Sequence, residues 1–369
     1  MSFFDEGIPT LSEKGSYMKG VITLIKNGKK GLILFILALL SLTMTACREK
    51  PTLYVYNWGD YIDESIIAEF EDETKLRVVY DTYATNEDMY VKIKSGGSNY
   101  DVIFPSDYML TRMREEDMLD KLDKTAIPNA QHIEERFRGL EYDLNDEYSV
   151  PYTWGTVGIL YNTTMVDEVV DSWDILWDPK YSKQILMLDS QRDSIAVALL
   201  KLGYSINTLD PDEIAEAGEL LKEQKPLVLA YVVDEGQDKM IAGEAALAVV
   251  WSGEATVARM QNPDLAFAVP KEGTNLWFDV MAVPKEAKNK EGAMRFINFM
   301  NDPEIALRNA EYTGYATPNR AAREMLPREI TTDRSIYPEE EDLVDAEIFV
   351  NLGQTLSIYD RIWTEVKAH

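Results

Sequence analysis

Flat rings stand beside carboxylates at several separate points of this chain. "YVYNWGDYID" (residues 54–63) holds Trp58, Asp60 and Tyr61; "FPSDY" holds Ser106, Asp107 and Tyr108. "QILMLDSQRD" ends on Asp189, Ser190 and Asp193, "VVWSGE" carries Trp251 and Glu254, and "LWFDV" carries Trp277 and Asp279. Lys and Arg are nearly absent from these points, with Arg192 the exception. An alkyl ammonium needs this pairing: carboxylates for its charge and ring faces for its methylenes. A cation over a ring gives roughly 0.5–2 kcal/mol, and a charge-assisted hydrogen bond about 1.5–3 kcal/mol. A handful of each exceeds the roughly 8 kcal/mol of micromolar binding even after ordering costs. Rings also stack on sugars, and two acids of unknown separation leave the carboxylate pair of a glycoside hydrolase open. A lone Asp after a strand is commonly a helix cap, the reading for Asp63 and Asp189.

Other chemistries lack their residues. No nucleophile elbow, phosphate-cradling glycine loop or zinc-type histidine pair is present. Cys47 is the only cysteine and His132 and His369 the only histidines, so no intrachain disulfide and no Cys- or His-based metal site is expected. No cofactor is expected either, and the chain reads as a non-enzyme. Residues 1–47 carry 5 of the 37 basic and 3 of the 64 acidic residues, which leaves 32 against 61 beyond them, a net charge of −29. That excess repels phosphate backbones and anionic headgroups, so nucleic acid is not an expected partner.

The elements that must position these residues alternate in type. "TLYVYNW", "LRVVYDTY" and "YDVIFPSDY" read as strands. Between them, "DESIIAEFEDET" and "NEDMYVKIKSGG" have helical spacing, the second capped by Asn86 and stopped at Gly96-Gly97; "MLTRMREEDMLDKLD" gives a third helix. The second half alternates in the same way. Strands are expected in "TVGILYN", "QILMLD", "PLVLAYVV", "AALAVVW" and "LWFDVMAVP", and helices in "DSIAVALLKLGY", "DPDEIAEAGELLKEQ" and "NKEGAMRFINFMNDPEIALRNAEYTG". The pattern is α/β, with mostly parallel sheets flanked by helices. No linker or low-complexity tract divides it, so two lobes that exchange strands fit better than two beads on a string. Ligands in such folds bind at the carboxyl ends of strands, where the ring–carboxylate groups fall.

The N-terminus has a separate logic. Lys26, Lys29 and Lys30 precede the apolar run "GLILFILALLSLTM" (31–44), followed by "TAC". A basic stretch, an apolar run of this length and small residues make a secretory signal, too short for a comfortable membrane span of about twenty residues. "MTAC" resembles a lipoprotein signal, so residues 1–47 are expected to be a signal peptide cleaved before Cys47, the lipid-anchored first mature residue. Met18 stands as an alternative start, being nearer the basic stretch.

Taken together, "TLYVYNWGDYI", "YDVIFPSDYML", "SVPYTWGTVGILYN", "KLGYSINTLDP", "WSGEATVAR", "LWFDVMAVP" and "TGYATPNRAAR" resemble the spermidine/putrescine-binding proteins of bacterial polyamine ABC importers, in matching order over about residues 52–363. The resemblance implies a two-lobed periplasmic-binding-protein-like fold with a ligand cleft between the lobes. Residues 51–155 with 277–312 would form lobe one, and 156–276 with 313–369 lobe two. It implies a monomeric receptor lipid-anchored to the outer face of the cell membrane. The receptor would deliver spermidine or putrescine to ABC permease subunits, and through them to a cytoplasmic ATPase. Matching positions carry over as ligand residues: Trp58, Asp60, Tyr61, Ser106, Tyr108, Asp193, Trp251, Trp277, Asp279 and Tyr315. Glu254, one turn beyond Trp251, is added as a compensating anion. Gly59, Ser190, Val233 and Phe349 depart from positions that can be more polar in relatives, which bears on ligand preference. The alternatives are the same fold binding a sugar or an amino-acid-like cation, and a secreted carboxylate-pair glycoside hydrolase.

Overall fold

The computed structural model describes residues 51–369 except 97, 98 and 234. Cys47 and the apolar run before it lie outside the described residues, as does Gly97. Among the described residues ten strands form the frame: β1 (Thr52–Trp58), β2 (Arg77–Tyr83), β3 (Val102–Ile103), β4 (Ser149–Asn162) and β5 (Ile185–Leu188), then β6 (Val228–Val232), β7 (Leu247–Trp251), β8 (Leu265–Ala268), β9 (Thr274–Ala282) and β10 (Ala346–Glu347). Their order is β2-β1-β3-β9-β4-β7-β5-β6, with β10 beside β9 and β8 beside β4. β1 runs parallel to β2 and β3, and β5 parallel to β6 and β7. The long strands β4 and β9 run antiparallel to each other and join the two parallel groups.

β4 extends further than "TVGILYN" suggests, because "SVPYTW" continues it upstream. Pro151 breaks the strand pattern in sequence, yet it stands where the β4–β9 register shifts, between Pro151 and Thr153, an irregularity of the kind at which strands accept proline. β4 is buried over nearly its whole length, as expected of a strand covered on both faces. Its N-terminal part pairs with β9 and its C-terminal part with β7 and β8.

The apolar core divides along these two strands. Trp154 and Phe278 belong to a cluster with Leu53, Ile103 and Phe296. Val157 and Trp277 belong to another with Ile185 and Val249. The fold is two-lobed α/β, with each lobe built on one parallel group. The segment after β9 serves both sides: Ala316, Ile336 and Tyr337 pack in the first cluster, and Phe349 in the second.

Helix caps follow local chemistry, with two departures from expectation. Asp63 caps helix Glu64–Thr74 by accepting from Ser65 N at 2.9 Å. Thr85, not Asn86, caps helix Asn86–Lys94, because its hydroxyl accepts from Asp88 N and frees Asn86 for the interior. Ser190, not Asp189, caps helix Gln191–Leu202. The helix that begins at Asp107 is shorter than its spacing suggests, ending at Glu115 before Asp117 turns to φ 57°. Among the described residues no helix is long and apolar enough to cross a membrane.

Candidate functional site

A cleft of about 680 Å³ opens along the carboxyl ends of β1, β3, β5 and β7 and the middle of β9. All eleven residues named from the sequence line it. Trp58, Asp60, Tyr61, Ser106 and Tyr108 come from the first three-stranded group and Asp193, Trp251 and Glu254 from the second. Trp277 and Asp279 come from β9, and Tyr315 from the turn after helix Pro303–Thr313. Gly59, Ser190, Val233 and Phe349 line it too. Tyr54 and Tyr56 do not; Tyr56 stacks on Tyr100 at 4.3 Å within the framework.

Asp279 is the most elaborately held member. Its Oδ1 accepts from the Ser106 hydroxyl at 2.6 Å and its Oδ2 from the Tyr61 hydroxyl at 2.7 Å. Burial pushes its carboxyl up to about 6, the two hydroxyls opposing that rise and the nearby Asp193 adding to it. Asp193 accepts from Ser190 Oγ at 2.6 Å and from Asn275 Nδ2 at 3.4 Å. Burial raises its carboxyl as well, against those two donors and the Arg192 guanidinium. Two desolvated carboxylates whose side-chain hydrogen-bond donors are all neutral hydroxyls and amides are costly alone and are relieved by a cation.

The rings are fixed by edge contacts. Tyr315 meets Tyr61 at 5.3 Å and Trp277 at 5.2 Å, both edge to face. Trp58 is pinned by its indole N–H, which donates to Phe104 O at 2.9 Å, and tilts against Tyr83 at 4.7 Å. Two glycines make room for this wall. A Cβ on Gly155 would stand 2.7 Å from Trp277 Cζ2, and one on Gly253 would land in the Tyr315 ring. The Trp277 Nε1 is buried with no hydrogen-bond partner.

Asp60 sits exposed at the mouth with φ 46°, a left-handed conformation that Asp tolerates. Glu254 lies in the first turn of helix Ser252–Gln261, where the helix N-terminus favours a carboxylate. Among the described lining residues Arg192 is the only cation. It is buried and committed: its guanidinium donates to Val350 O at 3.2 Å and Asn207 Oδ1 at 3.1 Å, and lies 4.1 Å from the Phe349 ring centre.

Asn86, Glu87, Asn275 and the structural task of Asp107 escape the sequence reading. Asn86 donates to Ser106 Oγ at 3.0 Å and to the Tyr108 hydroxyl at 3.1 Å. Glu87 accepts from the Tyr108 hydroxyl at 3.1 Å and is raised by burial. Both follow the end of β2, so attention to the residues after every strand would have reached them. Asp107, 1% exposed, accepts from Tyr108 N at 2.6 Å and Phe278 N at 3.0 Å, tying the β3 turn to β9 beside Asp279. Burial holds its carboxyl well above the usual range. Its position after Ser106 is visible in sequence, but not its structural task.

The cleft can therefore hold an elongated, apolar-bodied cation. The family model for bacterial extracellular solute-binding proteins matches residues 65–336. The chain is 40% identical over 333 residues to the spermidine/putrescine-binding periplasmic protein of Salmonella typhimurium, covering 89% of this chain and 96% of that one. Among solved structures, a protein described as a putative spermidine/putrescine ABC transporter from Listeria monocytogenes is 45% identical with TM-score 0.84, covering 86% of this chain and 99% of that one. The spermidine/putrescine ABC transporter substrate-binding protein of Streptococcus pneumoniae is 41% identical with TM-score 0.74, with the same coverages. The chain belongs to the bacterial extracellular solute-binding protein family, and these relatives, matched over most of its length, are named for spermidine and putrescine.

Proposed function

We propose that this protein is an extracytoplasmic receptor that captures a linear polyamine, spermidine or putrescine, by cleft closure and hands it to an ABC importer. The carrying observation is that Asp279 and Asp193, both buried, face a ring-walled cleft whose only cation among the described lining residues is the committed Arg192. In this reading the methylenes lie among Trp58, Tyr108, Trp251, Trp277 and Tyr315. Asp193 and Asp279 take protonated amines, and Asp60, Glu87 or Glu254 supplies a further anion.

In this reading the lobes divide in β4 at residues 155–156, between Trp154 of the first core cluster and Val157 of the second, and in β9 at 276–277, one residue before the step from Trp277 in the second cluster to Phe278 in the first. The packing of Ala316, Ile336 and Tyr337 supports assigning the segment around 316–337 to lobe one rather than lobe two. The receptor is a monomer without catalytic activity, lipid-anchored through Cys47 to the outer face of the cell membrane, and permease subunits are its protein partners.

A thermal-shift screen separates this reading from its alternatives. A ligand at a hundred times its Kd stabilises the native state by about 2.7 kcal/mol. Putrescine and spermidine are expected to raise the melting point, with sugars and amino-acid-like cations leaving it in place. A shift with a sugar alone, or turnover of a chromogenic glycoside, would overturn the proposal.

A further inference from the structure

Beside the cleft stands a second group of two rings and a carboxylate, already filled by an ammonium of the protein's own. Lys367, near the end of helix Leu356–Ala368, places Nζ 2.6 Å from Asp189 Oδ1. The same Nζ lies 4.9 Å from the Tyr231 ring centre and 5.5 Å from that of Trp363. The two rings meet edge to face at 5.4 Å. Asp189 and Trp363 also line the cleft, so this cage opens onto it. Asp189 immediately precedes Ser190, whose hydroxyl donates to Asp193, so cage and cleft share one strand-end turn.

We propose that Asp189, Tyr231 and Trp363 form an outer ammonium subsite for the end of a polyamine longer than putrescine, and that Lys367 is its tethered competitor. This rests on the polyamine reading of the cleft.

The cage has the chemistry of the main site: ring faces for a cation and a carboxylate for its charge. Its occupant is replaceable. The Lys367 and Asp189 side chains are 35% and 40% exposed, which marks a weakly held pair. Releasing Lys367 does not unfold the helix, because its end is held independently. Lys225 Nζ donates to Val366 O at 2.8 Å and to Lys367 O, and Val366 is fully buried. An incoming ammonium makes the contacts that the lysine gives up, so the exchange is nearly balanced and the tether decides it through its effective concentration. Putrescine, with two amines for Asp193 and Asp279, leaves the cage to Lys367. A third or fourth amine competes for it.

The test is calorimetry of putrescine, spermidine and spermine with the wild-type protein and with Lys367→Ala. Removing the competitor is expected to tighten spermine relative to putrescine by about tenfold, the worth of one charge-assisted contact freed of competition. Putrescine itself should change less than about twofold by the same arithmetic. Adding Asp189→Asn to Lys367→Ala should erase the gain. Because the readout is a ratio between ligands on one protein, a general loss of folding cancels. An unchanged spermine-to-putrescine ratio in Lys367→Ala, or a gain that survives Asp189→Asn, would overturn the subsite. Failure of the wild type to bind any polyamine would instead overturn the reading of the cleft.

Discussion

At the scale of single residues, the proposed binding turns on Asp279. Its carboxyl is raised from 3.8 to about 6. Below pH 3.8 it is protonated folded or unfolded; above about 6 it is ionised in both states. The empty native state is therefore penalised as pH rises through that window, by about 3 kcal/mol at the upper end. An ammonium against the carboxylate offsets the penalty, so binding requires the ionised form and releases a proton on the acid side. Polyamine affinity should hold between about pH 7 and 8 and fall as pH drops below about 6, by up to about tenfold per unit from this group. Asp279→Ala should weaken binding at about pH 7.5 by at least about tenfold, since it leaves a desolvated ammonium unpaired. Calorimetry of wild type and variant on either side of that window checks both; unchanged affinity in the variant would remove Asp279 from the site.

At the scale of elements, the cleft wall depends on backbone that carries no side chain. Gly253 lies under the Tyr315 ring, and Gly155 under Trp277. Gly253→Ala must push Tyr315 off its edge contacts with Tyr61 and Trp277. Overpacking of this kind costs about 1–3 kcal/mol, to be measured by denaturant unfolding, together with a loss of polyamine affinity in calorimetry. Affinity unchanged in a variant that folds would mean that Tyr315 does not wall the ligand. The same scale shows what sequence can reveal. Trp58, Ser106, Asp193 and Trp251 are legible because strand ends are where ligands bind, and they stand beside turn and cap signals. Asn86 is hidden by its resemblance to a cap, a task that Thr85 performs one residue earlier. Asp189 also reads as a cap, and its pairing with Lys367 spans 178 residues, which no local pattern encodes. Thr153, whose hydroxyl hydrogen-bonds with that of Tyr61, and Asn275, which donates to Asp193, sit inside long strands, where a polar residue gives no sign of which face it serves.

At the scale of the whole molecule, the alternation of strands and helices points to the α/β class, and the lack of a linker to lobes that exchange strands. β4 and β9 provide that exchange. Local pattern does not convey the length of β4, masked by Pro151, or the way residues after β9 contribute to both core clusters. The net charge of −29 beyond Cys47 suits a receptor for small cations and opposes nucleic acid, and among the described residues nine acidic side chains against one arginine line the cleft. The central claim is that this cleft holds a linear polyamine. Isothermal titration of residues 48–369 with putrescine, spermidine and spermine side by side tests it most directly. One-to-one binding of putrescine or spermidine at micromolar or lower Kd is the expected result. No heat from any of the three at neutral pH, with a folded protein, would contradict it.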